Sequence, residues 1–308
     1  MCLLTTKGFF SFSGGTLVHA KDEVIDIRRS ENDPQHFNID AKVDWLKVAP
    51  DGKTVLIYGD YGTKVWRWRE GVGLDLFTSP QKKRESAGCG FIVVKGKVIT
   101  LLYTNGILNG FSEEGNQVFS SNLLSPHTFL SKNFINLPKN LVAITGVFFG
   151  DFADSVIVVE LTELLEDPQT VQKAIKDKVY FFDRAINLTV GPCDSDCIVT
   201  LRDPEDAEVP IDEEDVEDLG DVGNFAGVYI RDLETGKLIE RISYSGSAGS
   251  GAPIAATETH IAIQVMGGID VIQRKTGEIQ NIPEAILDLS GLQIVKLNNG
   301  LLKEMIPL

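Results

Sequence analysis

The sequence is short of cysteine, histidine, basic residues and long apolar runs, and each shortage removes a class of protein. Four cysteines in 308 residues are too few for a disulfide framework of the kind that holds small secreted domains together. Cys193 and Cys197 bracket Asp194-Ser195-Asp196, close enough to pair across a tight turn; the first expectation is two free thiols on a hairpin, with pairing as the alternative. A metal site there would need two more soft ligands, and His19, His36, His127 and His260 lie near neither cysteine in sequence. No metal and no cofactor is expected. No stretch approaches the roughly 18 consecutive apolar residues of a membrane-spanning helix. Met1-Cys2-Leu3-Leu4-Thr5-Thr6-Lys7-Gly8-Phe9-Phe10 lacks a basic segment followed by a long apolar one, so it does not read as a signal peptide. The expectation is a cytoplasmic protein, although a chain starting after a removed signal would look the same.

Positive charge is also scarce: 29 Lys+Arg face 44 Asp+Glu, a formal net charge of −15. Such an excess repels phosphates, so a nucleic-acid partner is not expected. What the chain does have is 43% apolar residues, enough for a packed core and incompatible with disorder throughout.

Short alternating apolar runs punctuated by turn residues recur along the chain, the pattern of short strands. In Lys64-Val65-Trp66-Arg67-Trp68-Arg69 the two tryptophans share one face and Val65, Arg67 and Arg69 the other. Two series of turns interleave. One comprises Asp51-Gly52, Lys95-Gly96, Lys139-Asn140, Asp194-Ser195-Asp196, Glu258-Thr259 and Asn299-Gly300; the other centres on Gly71, Gly115, Gly236 and Gly277, with Gly14-Gly15 of the same look. Gly52 to Gly71, Gly96 to Gly115 and Glu258 to Gly277 are each 19 residues apart. A fixed offset between two turn series describes a repeated four-stranded meander (strands a to d), with one series at a–b and the other at c–d. Repeated radially, such sheets make a β-propeller.

The expected architecture is all-β: one domain over 1–308, a six-bladed propeller, with seven blades as the alternative. The units fall at about 43–79, 89–121, 132–183, 185–243 and 251–282, and a last one is shared by 292–308 and 1–20. In that shared blade the C-terminal run gives an a–b hairpin and 8–20 a c–d hairpin, which would close the ring and hide its edge strands. Residues 21–42 hold one strand, Val24–Ile27, before Asn32-Asp33-Pro34 breaks the chain, too little for a blade of their own. Two insertions are expected. Asp167 is a good N-cap and Pro168 a good first helical residue, and Val171, Ala174 and Ile175 form an apolar stripe, so 167–178 reads as a short helix. The other insertion lies between strands b and c at 203–221.

The run Val48-Ala49-Pro50-Asp51-Gly52-Lys53-Thr54-Val55 followed by Lys64-Val65-Trp66-Arg67-Trp68 resembles a WD40-type blade. Asp232-Leu233-Glu234-Thr235-Gly236-Lys237 and Arg274-Lys275-Thr276-Gly277-Glu278 resemble the strand-d turn of WD40-like and quinoprotein-like propellers. The Trp-Asp dipeptide, the Gly-His opening, the sialidase Asp-box and the kelch Gly-Gly signature are absent, so the resemblance stays with the superfamily. It implies a platform whose loops bind partners.

Residues 203–221 hold 11 acids and no Lys or Arg. Blocks of like charge repel themselves and are usually solvated spacers. The functional reading is a dock for a basic protein, carried by Asp212, Glu213, Glu214, Asp215, Glu217 and Asp218; an acidic inhibitor of a basic toxin is one concrete form. Carboxylates would also suit calcium, but the EF-hand spacing is absent. As a b–c insertion, the segment should project on the same side as the d–a loops. Trp45, Trp66 and Trp68 read as packing residues, and Ser245–Ala252 as a d–a connection, because it lacks the Lys-Ser/Thr ending of a phosphate loop. No Gly-x-Ser-x-Gly elbow occurs, and His19 and His260 read as structural. The leading function is a monomeric, non-enzymatic interaction scaffold. The alternative is a metal-dependent hydrolase or lactonase with its site in the central channel.

Overall fold

The computed structural model describes residues 2–5, 8–29, 34–60, 64–78, 88–104, 107–122, 129–137, 141–147, 154–160, 189–202, 227–246, 248, 252–298 and 301–308. Among these the chain forms only strands and turns, and the strands group into seven antiparallel sheets in chain order. The first has five strands, β1 (Cys2–Thr5), β2 (Gly8–Ser13), β3 (Thr16–Lys21), β4 (Val24–Arg29) and β5 (Gln35–Asn38). The second has β6 (Val43–Val48), β7 (Thr54–Gly59), β8 (Lys64–Arg69) and β9 (Gly73–Thr78), and the third β10 (Gly88–Val94), β11 (Lys97–Thr104), β12 (Ile107–Phe111) and β13 (Gln117–Asn122). The fourth shows β14 (Phe129–Asn136), β15 (Leu141–Val147) and β16 (Asp154–Glu160). The fifth is β17 (Thr189–Pro192), β18 (Cys197–Arg202), β19 (Gly227–Asp232) and β20 (Leu238–Ser243). The sixth is β21 (Ile254–Ala256), β22 (His260–Val265), β23 (Gly268–Gln273) and β24 (Ile279–Pro283), and the seventh β25 (Ala285–Asp288), β26 (Gln293–Asn298) and β27 (Leu301–Pro307). Each is a meander of sequential neighbours.

Internal contacts divide the chain into two compact units, 1–123 with 266–269 and 282–307, and 124–265 with 270–281 and 308. In the first unit β2, the second strand of its sheet, packs against β6 and β25, the first strands of theirs; in the second, the first strands β14, β17 and β21 meet. The β8 alternation has a direct physical cause. Trp66 and Trp68 go into a core with Val18, Ile25 and Ile27 of the first sheet. Val65, on the other face, joins Phe91, Val98 and Leu102 of the third. Both tryptophans are buried, and Trp68 donates from Nε1 to Gln35 Oε1 at 3.0 Å. Trp45 is half-buried beside the second core.

Glycine turns bring the first two sheets together. Gly14 (φ 52°) and Gly52 (φ 71°) sit in the left-handed region open to glycine. A Cβ on Gly14 would lie 2.3 Å from the backbone nitrogen of Gly52, and one on Gly52 would lie 2.3 Å from the Gly14 carbonyl oxygen. Thr16 Oγ1 completes the contact by donating to the Gly52 carbonyl at 2.7 Å.

The two ends of the chain depart from the expectation. Residues 292–306 and 8–20 do not share a sheet: Gly14-Gly15 joins the hairpin β2–β3, and the first sheet continues into β4 and β5 through 38. Residues 21–42 therefore do carry strands, two short ones that the break at Asn32-Asp33-Pro34 disguised. At the other end, β25 precedes the expected hairpin, its four residues all buried and so without alternation to read. The terminal sheets meet by packing instead. Phe10, Phe12 and Leu17 of the first sheet share a core with Ile286, Val295 and Leu297 of the seventh. Above it the buried Asp288 carboxylate accepts from Ser13 Oγ (3.0 Å), Ser290 Oγ (2.7 Å) and Gln293 Nε2 (3.0 Å).

Candidate functional site

The acidic segment is anchored in the fifth sheet. Arg202, the last residue of β18, and Gly227, the first of β19, are direct ladder partners, and Gly227 also pairs with Ser243 at the end of β20. Residues 203–226 thus leave and return at one closed stem between the second and third strands. Arg202 is buried within it. Asp212, Glu213, Glu214, Asp215, Glu217 and Asp218 lie outside the described residues, as does the helix expected at 167–178.

The same end of the sheet carries the connection from β20 to β21, which begins at Tyr244. Tyr244 is buried and donates its hydroxyl to Asp270 Oδ2 at 2.7 Å, while Asn281 Nδ2 donates to Asp270 Oδ1, also at 2.7 Å. Gly246 lies so close that a Cβ there would be 2.3 Å from the Tyr244 hydroxyl. The connection beside the stem is thereby tied to the sixth sheet. Nothing in the sequence spacing pointed to this Tyr–Asp–Asn set.

At the opposite end of β18 the structure corrects the cysteine reading. Cys193 and Cys197 are not free thiols: they form a disulfide across the turn, with Cα atoms 5.5 Å apart. The turn is fixed on both sides. Asp194 N donates to the Ala256 carbonyl at 3.1 Å, and Asp194 Oδ2 accepts from Glu258 N at 3.1 Å. Leu233 N donates to the Asp196 carbonyl at 2.9 Å. The neighbouring c–d turn is held by Asp232, whose Oδ1 accepts from Thr235 N and Thr235 Oγ1, each at 2.7 Å, ahead of Gly236 at φ 70°. Side-chain capping of this kind explains the Asp232-x-x-Thr235-Gly236 turn, and at the other Thr-Gly turn Thr276 Oγ1 donates to Gln273 Oε1 at 2.7 Å.

Elsewhere polar side chains serve packing. His19, Asp26 and His36 form one row across β3, β4 and β5. His36 Nδ1 lies 2.5 Å from Asp26 Oδ1, His19 Nδ1 lies 3.6 Å from Asp26 Oδ2, and the His19 ring stacks on Phe10 at 4.3 Å. Arg67 lies 4.4 Å over the Phe77 ring, with Asp75 at 3.5 Å. Burial pushes its pKa down, the Asp75 charge opposes that, and the Arg69 charge adds to it. Among the described residues no group of three or more His, Cys, Asp or Glu is arranged to hold a metal ion. No described helix is long and apolar enough to cross a membrane.

Similarity to solved structures fixes the class of fold. Over 97% of its length the chain is similar to a chain of Kuenenia stuttgartiensis hydrazine synthase, at TM-score 0.58 and 11% identity, covering 94% of that chain. Over 97% it is also similar to a chain of the mitotic checkpoint complex, at TM-score 0.52 and 8% identity, covering 86% of that chain. Over 96% it is similar to PorZ, an essential surface component of the type-IX secretion system of Porphyromonas gingivalis, at TM-score 0.53 and 11% identity, but it spans only 36% of that chain. These are β-propeller-type folds, and the described strands are consistent with that fold. No protein-family model and no curated protein sequence matches the chain.

Proposed function

We propose that the chain is a seven-bladed propeller, each sheet one blade, that works as a protein-interaction scaffold and docks a basic partner through residues 203–221. The observation that carries this reading is the closed Arg202–Gly227 stem, because it brackets the acidic run between two paired strand ends at one end of a sheet. Its charge is concentrated: the 19 residues hold 11 acids, while the other 289 carry 33 acids and 29 bases, or −4. Propeller-type neighbours, one of them a chain of a multiprotein checkpoint complex, support a generic binding role. The Cys193–Cys197 disulfide favours an oxidising compartment over the cytoplasm.

The test is a pull-down with full-length protein and with 203–221 replaced by a short Gly-Ser linker, which the stem can accept because its two strand ends are already paired. Partners lost with the deletion, and lost from the intact protein as salt rises past about 0.15 M, support docking. An unchanged set of partners would remove it.

A further inference from the structure

The Cys193–Cys197 disulfide adds little to its own hairpin. Pro192 already pairs with Ile198 directly before it, so β17 and β18 are closed without the sulfurs. A sequence separation of 4 also puts it at the weak end of loop-closure stabilisation. What it fixes is the turn, and the turn is the seam between the fifth and sixth sheets. Cys193 forms a parallel bridge with Ala256, Asp194 N donates to the Ala256 carbonyl, and Asp194 Oδ2 accepts from Glu258 N. Two residues earlier, a Cβ on Gly191 would collide with the Ile254 carbonyl oxygen, so the backbones of β17 and β21 are in contact there.

The sulfurs themselves are buried, but Asp194, Ser195 and Asp196 between them are exposed. Ser195 Oγ lies 3.4 Å from Cys197 Sγ, placed to donate to a thiolate formed on that sulfur. Two carboxylates therefore flank the approach, and one hydroxyl stands at one of the two sulfurs.

We infer that Cys193–Cys197 is a thiol–disulfide exchange site that latches this seam and takes cationic thiols in preference to anionic ones. An incoming thiolate attacks Cys193 Sγ, the S–S bond breaks, and its electron pair goes to Cys197 Sγ, where the Ser195 hydroxyl stabilises the leaving thiolate. A second thiol then displaces Cys193 from the mixed disulfide. The reductant is oxidised to its own disulfide by two electrons, and its two protons end on the Cys193 and Cys197 thiols. The turn is then released, and the Asp194 bonds across the seam lose their fixed geometry. The Asp194 and Asp196 charges repel an anionic thiol and attract a cationic one. In an oxidising compartment the latch stays closed.

The test uses the full chain with Cys2→Ala and Cys89→Ala as background, and cysteamine and glutathione as the cationic and anionic probes. Mass spectrometry should place the cysteamine adduct on Cys193. With each rate divided by that for an uncharged peptide disulfide, cysteamine should outpace glutathione about tenfold at low salt, the ratio falling towards one near about 1 M. Ser195→Ala should slow exchange about fivefold and Ser195→Thr restore it, with the unfolding transition unmoved in both. In the reduced protein the amides of Asp194, Leu233 and Glu258 should exchange with deuterium about tenfold faster, while those of β7 do not change. Adducts on Cys197 alone, equal relative rates for the two thiols, no effect of Ser195→Ala, or unchanged exchange at the seam would each overturn the site.

Discussion

The third strands of the second and seventh sheets make an instructive pair. β8, Lys64-Val65-Trp66-Arg67-Trp68-Arg69, carries three charges yet buries four of its six residues. β27, Leu301-Leu302-Lys303-Glu304-Met305-Ile306-Pro307, carries two charges and buries none. Composition would rank them the other way. The difference lies in what stands next to them: β8 has β9 on its free edge and packed sheets on both faces, while β27 ends its sheet among the described residues. Burial in this fold is a property of neighbours.

The largest effect that should separate the two strands is truncation. Trp68→Ala is expected to lose about 3–5 kcal/mol of stability, whereas Met305→Ala should stay within about 0.5 kcal/mol; chemical denaturation of both variants checks this. Equal losses would mean that β27 is covered in solution. Next comes the contact between terminal sheets. Asp288→Ala leaves Ser13, Ser290 and Gln293 without their shared acceptor and should cost about 2–3 kcal/mol, while Asp51→Ala, on the exposed neighbouring turn, should cost far less. Removing the disulfide as Cys193→Ala/Cys197→Ala should lower stability by about 2 kcal/mol, the loop-closure value for so short a loop, provided reducing agent gives the same shift in the native protein.

The smallest effect is electrostatic and belongs to the exposed rim of the second sheet. Lys64 Nζ lies 2.9 Å from Asp40 Oδ2, which holds the Asp40 carboxyl below its ordinary 3.8 and the Lys64 ammonium above its ordinary 10.5. The Asp40 contribution is present above 3.8 and lost as pH falls through its lowered value. The Lys64 contribution is present below 10.5 and lost as pH rises through its raised value. Asp40→Asn should therefore trim stability slightly and evenly between about pH 4 and 10, with the effect fading as pH falls below 3.8 through the lowered value, in a pH series of thermal unfolding.

How much of this was legible follows from what each residue had to do. Gly52 and Gly71, Gly96 and Gly115 announced their turns because tight hairpins need positive φ. Their 19-residue offset reports two turns of one meander. The phase at the chain ends was not legible, since Gly14-Gly15 makes the same kind of hairpin whichever strands it joins. β25 hid because Ala285–Asp288 is buried throughout, and β5 because four residues after Pro34 leave little pattern. The Asp288 contact and the Tyr244–Asp270–Asn281 set depend on residues far apart in sequence, and no local spacing encodes them. The acidic run was visible at once, and the structure adds the paired strand ends from which it starts.

The most direct measurement compares binding of the captured partner by the native protein and by a variant in which Asp212, Asp215 and Asp218 become Asn and Glu213, Glu214 and Glu217 become Gln. Loop length, stem and disulfide are retained, so the unfolding transition should not move. The account predicts at least a tenfold weaker affinity in the variant at 0.15 M salt, with the difference shrinking as salt rises. Equal affinity at low and physiological salt would contradict docking through the acidic loop.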